Sequence, residues 1–222
     1  MKKYFEVVFD SAYLIFDLIC AIIFFMHASL SQVFYLYGFL ALILGAGDAF
    51  HLIPRIIKAL KGESEKLTKW LGIGMQVSSI TMTIFYIILY YIWKALFGIN
   101  VAFIYPAIIW ISAIVRIFLC LMPQNNWYSK EGNQKWGIIR NVPFIFIGIT
   151  MYILFLFSGN SYGYHMQYLS IAILVSFLCY LPVVLYVKKN PMVGMLMIPK
   201  TCAYIAMLAM GLSLIPSKRL IN

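Results

Sequence analysis

Three polar residues near the end of an apolar segment share one helical face. Asp48, His51 and Arg55 fall at i, i+3 and i+7. A carboxylate beside an imidazole is the arrangement that orients or charges a general base. The small residues Gly45-Ala46-Gly47 just before them let a second helix approach closely. Far along the chain, Lys200 follows Pro199 inside another apolar stretch. The proline frees a backbone carbonyl there, and a lysine stripped of water suits Schiff-base or proton-relay chemistry. Asp17, Arg116 and Arg140 are the other ionisable groups set among apolar neighbours. Asp48 and His51 are therefore the candidate catalytic pair. The candidate ligand-binding residues are Asp17, Asp48, His51, Arg55, Arg116, Arg140 and Lys200. The bland alternative for the 48–55 face is an interfacial Asp–Arg clasp with a snorkelling histidine.

What these residues mean depends on the elements that carry them. The chain has 222 residues, 64% hydrophobic and 11% charged. Soluble domains are about half apolar and about a quarter charged. So little polar surface excludes a soluble globule, a disordered chain and most nucleic-acid binders, despite a net charge of +10. The apolar runs are long and continuous, which reads as helices and not as the alternating strands of a β-barrel. The expectation is an all-α polytopic membrane protein, a single domain over 1–222 built as a seven-helix bundle. The predicted spans are 7–26, 33–53, 70–91, 101–122, 137–157, 168–187 and 192–215. Pro54 is expected to end the second span. Loops of some length are expected at 58–69 and 123–136. Glu6, Asp10 and Asp17 interrupt the first apolar run, so it reads as a retained helix and not a cleaved signal peptide.

Seven spans place the N-terminus and the second, fourth and sixth loops on one side. That side holds twelve of the 17 Lys and Arg residues, from Lys2 and Lys3 through Lys130 to Lys188 and Lys189. The other side holds three, Lys94, Lys218 and Arg219. The positive-inside bias then predicts a cytoplasmic N-terminus and an outside C-terminus. It also assigns most of the net charge to topology and to anionic inner-leaflet lipid. Rich in lysine and isoleucine, the composition reads as that of a bacterial inner-membrane protein.

The two remaining basic residues, Arg116 and Lys200, lie within spans, where charge is costly and signals function. A rise of about 1.5 Å per residue puts Asp17 roughly 15 Å and Lys200 roughly 12 Å deep. The same measure puts Asp48 and Arg116 at roughly 8–9 Å. Matched depths suggest two pairs, Asp17 with Lys200 and Asp48 with Arg116. Such pairs either lock helices together or line a cytoplasm-facing cavity. Basic groups outnumber acids in such a cavity, which favours a small anionic, phosphate-bearing or amphiphilic ligand, bound or transported. Membrane lipids are the other expected partners, and nucleic acid is not. Two other readings stand beside this one. In the first, the protein is an intramembrane lipid or lysolipid hydrolase using Asp48 and His51. In the second, it is a structural or signalling subunit without chemistry.

Seven helices with a lysine within the seventh resembles the microbial rhodopsins, and the cytoplasmic N-terminus is similar to the heliorhodopsin branch. Span three carries no acid to act as counterion, so no retinal or other cofactor is expected. The adiponectin-receptor-like and alkaline-ceramidase proteins hold zinc with three histidines. Here His27 and His165 are predicted outside and His51 inside, so no metal site is expected. Gly47-Asp48 is similar to the Gly-Asp pair of the lysoplasmalogenase-like family, whose second acidic motif has no counterpart here. Cys20, Cys120, Cys179 and Cys202 fall within spans, and no disulfide is expected. Trp70, Trp93, Trp127 and Trp136 are expected to form an aromatic belt. Prolines in spans four to seven suggest bent helices of the kind that line transporter sites.

Overall fold

The structure, a computed structural model, describes residues 2–129, 132–158 and 166–215, with side chains from Tyr4 onwards. Lys130, His165, Lys218 and Arg219 lie outside the described residues, as do the side chains of Lys2 and Lys3. The architecture is all-helical: α1 Lys2–Met26, α2 Gln32–Lys61, α3 Glu65–Phe97, α4 Ile104–Leu121, α5 Gln134–Ser158, α6 Gln167–Tyr186 and α7 Met197–Leu212. With the 3₁₀ turn Pro191–Leu196 leading into α7, there are seven helical segments among the described residues long and apolar enough to cross a membrane.

Helices α2 and α3 run well past their apolar stretches, and the loop expected at 58–69 shrinks to three residues. Local chemistry explains this. Ser64 caps α3, its Oγ accepting from Leu67 N at 3.2 Å. Gly62, at φ +93°, closes α2 with its N–H on Lys58 O. Pro54 does not end α2 as expected but sits inside it. Pro199 is also displaced from its expected role. It lies in the first turn of α7, after the 3₁₀ turn, where a missing N–H is tolerated. Of the 123–136 segment, residues 123–129 are a built element. Asn125 donates to Leu119 O and Met122 O, and the Trp127 indole donates to Cys120 O at 2.9 Å.

Each helix packs on its neighbours in sequence, α7 closes on α1 and α2, and α3 also meets α5. The tightest seam joins α2 and α3. A Cβ on Gly74 would stand 2.2 Å from the Phe50 carbonyl oxygen, and one on Gly47 would stand 2.0 Å from Thr81 Oγ1. The small residues noted at 45–47 thus meet α3, as close-packing patches do. The half of the bundle distant from the α2–α3, α4–α5 and α6–α7 connections is filled by Phe24, Phe34, Tyr37, Trp93, Phe97, Phe155 and Leu208. Trp93 is wholly buried there, its indole donating to Leu154 O, and Trp127 is also buried. Both therefore leave the expected belt, because each has an internal carbonyl to satisfy its N–H.

The seam predicts a sharp contrast between two glycines. Gly74→Ala should destabilise the protein by about 1–3 kcal/mol through backbone overpacking. Gly137→Ala should be nearly silent, since its Cβ would meet nothing nearer than 3.8 Å. Thermal unfolding in detergent micelles reads both.

Candidate functional site

The connection-bearing half of the bundle is polar inside. A cavity of about 440 Å³ opens there, walled by α2 to α7 and by residues within 125–129 and 132–133. His51 and Arg55 line it from α2, Arg116 from α4, Arg140 from α5 and Lys200 from α7. Lys188 stands beside α6 at its rim, exposed, donating to Gly132 O at 3.3 Å. No carboxylate is found among the described residues of the lining. Five of the seven residues singled out by sequence therefore meet on one cavity, while Asp17 and Asp48 do not line it.

Three of these cations, Arg116, Arg140 and Lys200, rest on aromatic faces, not on acids. The Arg116 guanidinium lies 3.3 Å from the centroid of Phe144 and is only 2% exposed. Its Nε and Nη1 are buried and have no hydrogen-bond partner. Arg140 lies over Trp127 at 4.1 Å and donates Nη1 to Asn125 Oδ1 at 2.8 Å. Lys200 Nζ sits 4.8 Å from the Tyr204 ring and 5.3 Å from that of Tyr180. Tyr180 is itself fixed by donating to Asn141 Oδ1 at 3.0 Å. A ring face attracts a cation without satisfying the N–H groups at its edge. Positive charge is thus held in place while two of the Arg116 donors stay unpartnered.

The pairs expected from matched depth do not form. Neither Lys200 nor Arg116 has a carboxylate within salt-bridge distance among the described residues. Depth fixes height along the bundle normal, whereas pairing also needs both side chains turned to the same seam. The acids turn instead to the contact between α1 and α2. Arg55 grips Asp10 with two bonds, Nε to Oδ2 at 2.9 Å and Nη2 to Oδ1 at 2.7 Å. Asp48 accepts from Tyr13 Oη at 2.9 Å and from Ser78 Oγ at 2.7 Å, joining α1, α2 and α3. His51 Nδ1 stays 3.8 Å from Asp48 Oδ1, close enough for charge interaction but too far for a hydrogen bond. Asp17 is fully buried, with neither carboxyl oxygen hydrogen-bonded.

The sequence reading passed over several of these participants. Asp10 and Tyr13 carry a legible signal, because with Asp17 they repeat on α1 the i, i+3, i+7 spacing seen at Asp48, His51 and Arg55. Asn125 and Trp127 sit in a polar run that resembled an ordinary loop. Phe144, Tyr180 and Tyr204 are indistinguishable in sequence from packing residues. The chain matches no protein-family model, no curated protein and no solved structure.

The Asp48 clasp makes an asymmetric prediction. Tyr13→Phe or Ser78→Ala removes one hydrogen bond, which should cost about 0.5–1.5 kcal/mol. Asp48→Ala leaves both hydroxyls without their acceptor and should cost about 1–3 kcal/mol. Chemical or thermal unfolding of the three variants in one detergent gives the order.

Proposed function

We propose that this multi-pass membrane protein binds a small anionic, phosphate-bearing ligand in the basic cavity, as part of transporting or presenting it. The cavity faces the cytoplasm on this reading, because the connections at its mouth carry most of the basic residues. A bacterial inner membrane is the setting proposed. The observation that carries the reading is Arg116. A guanidinium buried to 2% exposure, with Nε and Nη1 unpartnered, stands on a cavity wall with no acid in its described lining. Desolvated positive charge of this kind is costly unless an anion or water meets it. A phosphate group meets it well: its oxygens accept several charge-assisted hydrogen bonds from Arg and Lys donors at once. The apolar part of the lining, from Leu71 and Met75 to Val183 and Val187, leaves room for a ligand with an apolar portion.

A second reading has one observation in its favour. His51 and Ser78 line the cavity with Asp48 directly behind them, so an acid–base site for lipid or lysolipid hydrolysis is geometrically available. His51→Gln would then abolish release of product from a lysophospholipid while phosphate binding persists.

The anion reading is tested by calorimetry on the purified protein with inorganic phosphate and with a lysophosphatidate as probes. Both should bind, and rising chloride should weaken them. Arg116→Gln and Lys200→Gln should each weaken binding by about tenfold or more. Arg116→Gln with Lys200→Gln should abolish it without unfolding the bundle. Wild-type affinity in both single variants, or no binding of either probe, overturns the reading.

A further inference from the structure

The fully buried Asp17 has no part in the anion cavity. It faces the Tyr13–Asp48 bond across α1 and α2. Tyr13 and Asp17 stand at i and i+4 on one face of α1, which puts the Tyr13 hydroxyl between Asp17 and Asp48, but it has one proton to donate, and that goes to Asp48. Asp17 is left with two unpartnered oxygens at 0% exposure. The charged and titratable groups that face this seam are few. Tyr13 and Cys20 come from α1 and Asp48 from α2, with Tyr204 and Lys200 of α7 beyond them, nearer Tyr13 and Asp48. No cation reaches Asp17 within salt-bridge distance among the described residues.

The space around Asp17 selects its ligand. A Cβ on Gly45 would stand 2.9 Å from Asp17 Cβ and 3.5 Å from its Oδ2. The absence of that single methyl is what accommodates the carboxyl, so a metal ion with its own oxygen shell does not fit between them. Asp17 does not line the cavity either. The counter-charge that can arrive is a proton, and a path exists for it. Ser78 and His51 line the cavity, and each approaches Asp48 Oδ1, at 2.7 and 3.8 Å. Tyr13 then connects Asp48 to Asp17.

We propose that Asp17 is a proton-binding site filled from the basic cavity through Asp48 and Tyr13, and that its proton is coupled to anion occupancy of that cavity. The transfer balances within the chain. A proton from cavity water binds Asp48. The phenol accepts that proton and hands its own to Asp17, so one O–H bond breaks and one forms at Tyr13, which stays neutral. The seam behind the cavity wall then holds one negative charge fewer, at Asp17, and the cavity attracts an anion more strongly. Linkage makes the effect mutual: a bound anion favours the proton equally. The coupling rests on the anion reading above; the proton site itself does not.

The experiment uses the full chain in nanodiscs of zwitterionic lipid. Infrared difference spectra over a pH titration should show a protonated-carboxyl C=O band in wild type that is missing in Asp17→Asn. Tyr13→Phe should keep the band but slow its hydrogen–deuterium exchange by about tenfold or more, because the relay hydroxyl is gone. If Asp17→Asn fails to fold, Asp17→Glu keeps the carboxyl and should move the band. Identical carboxyl bands in wild type and the position-17 variant overturn the proton site. For the coupling, inorganic phosphate added to a weakly buffered sample should draw protons from solution in wild type and not in Asp17→Asn. Phosphate affinity should change with pH more steeply in wild type than in the variant, by up to about tenfold more per pH unit, the phosphate's own titration being common to both. Phosphate binding without proton uptake overturns the coupling. Failure of phosphate to bind at all overturns the anion reading, and the infrared band then decides the proton site alone.

Discussion

The structure is organised around positive charge held inside an apolar bundle by aromatic rings. Arg116 over Phe144, Arg140 over Trp127 and Lys200 between Tyr180 and Tyr204 are the same solution used three times. A carboxylate partner would neutralise the charge and occupy the donors. A ring face lowers the cost of burial while leaving the donor edge unoccupied. Much else follows from keeping those rings in place. Asn141 fixes Tyr180, Asn125 fixes Arg140, and the Trp127 indole ties the 123–129 segment to the end of α4. Gly72 lets that segment lie directly on α3, where a Cβ would strike the Trp127 carbonyl oxygen at 1.7 Å.

The acids complete the arrangement by standing apart. Asp10, Asp48 and Asp17 lie along the α1–α2 seam, facing Arg55, Ser78 with Tyr13, and Gly45 in turn. Because the two helices run antiparallel, residues ascending on α1 meet residues descending on α2. One i, i+3, i+7 pattern therefore reads against another. His51 stands where the two charge systems meet, with its ring on the cavity and its Nδ1 toward Asp48. Among the described residues, the far half of the bundle carries no comparable charge. Its fill of Phe, Trp, Tyr and Leu closes the interior behind the cations.

Hydropathy made the seven helices legible, because a span of about 20 apolar residues has few alternative readings. Helix ends were less legible. Ser64 and Gly62 extend α2 and α3 through capping, which acts outside any apolar window. The residues of the cavity were legible as a set, since charge inside a span is rare enough to stand out. Their partners were not. The Asp17–Lys200 and Asp48–Arg116 pairs rested on matched depth, and rotation about each helix axis is decided by packing that no single sequence discloses. The aromatic half of the site was hidden for a compositional reason: among 17 Phe and 16 Tyr, the rings beneath the cations look like all the others.

Proline placement links the site to its capacity to rearrange. Pro54 adjoins Arg55 inside α2, Pro143 adjoins Phe144 inside α5, Pro182 lies two residues from Tyr180 inside α6, and Pro199 adjoins Lys200 in the first turn of α7. Each removes a helical hydrogen bond, or starts a helix, at the level of the cavity. The walls bearing the cations and their rings are thus the places where these helices bend most easily. The far-half fill of α2, α5 and α7 is continuous and well packed, so bending concentrates around the cavity and not beyond it. Arg116, Arg140 and Lys200 thus stand on three different helices, α4, α5 and α7, and Pro143 interrupts the middle one beside the ring that Arg116 rests on.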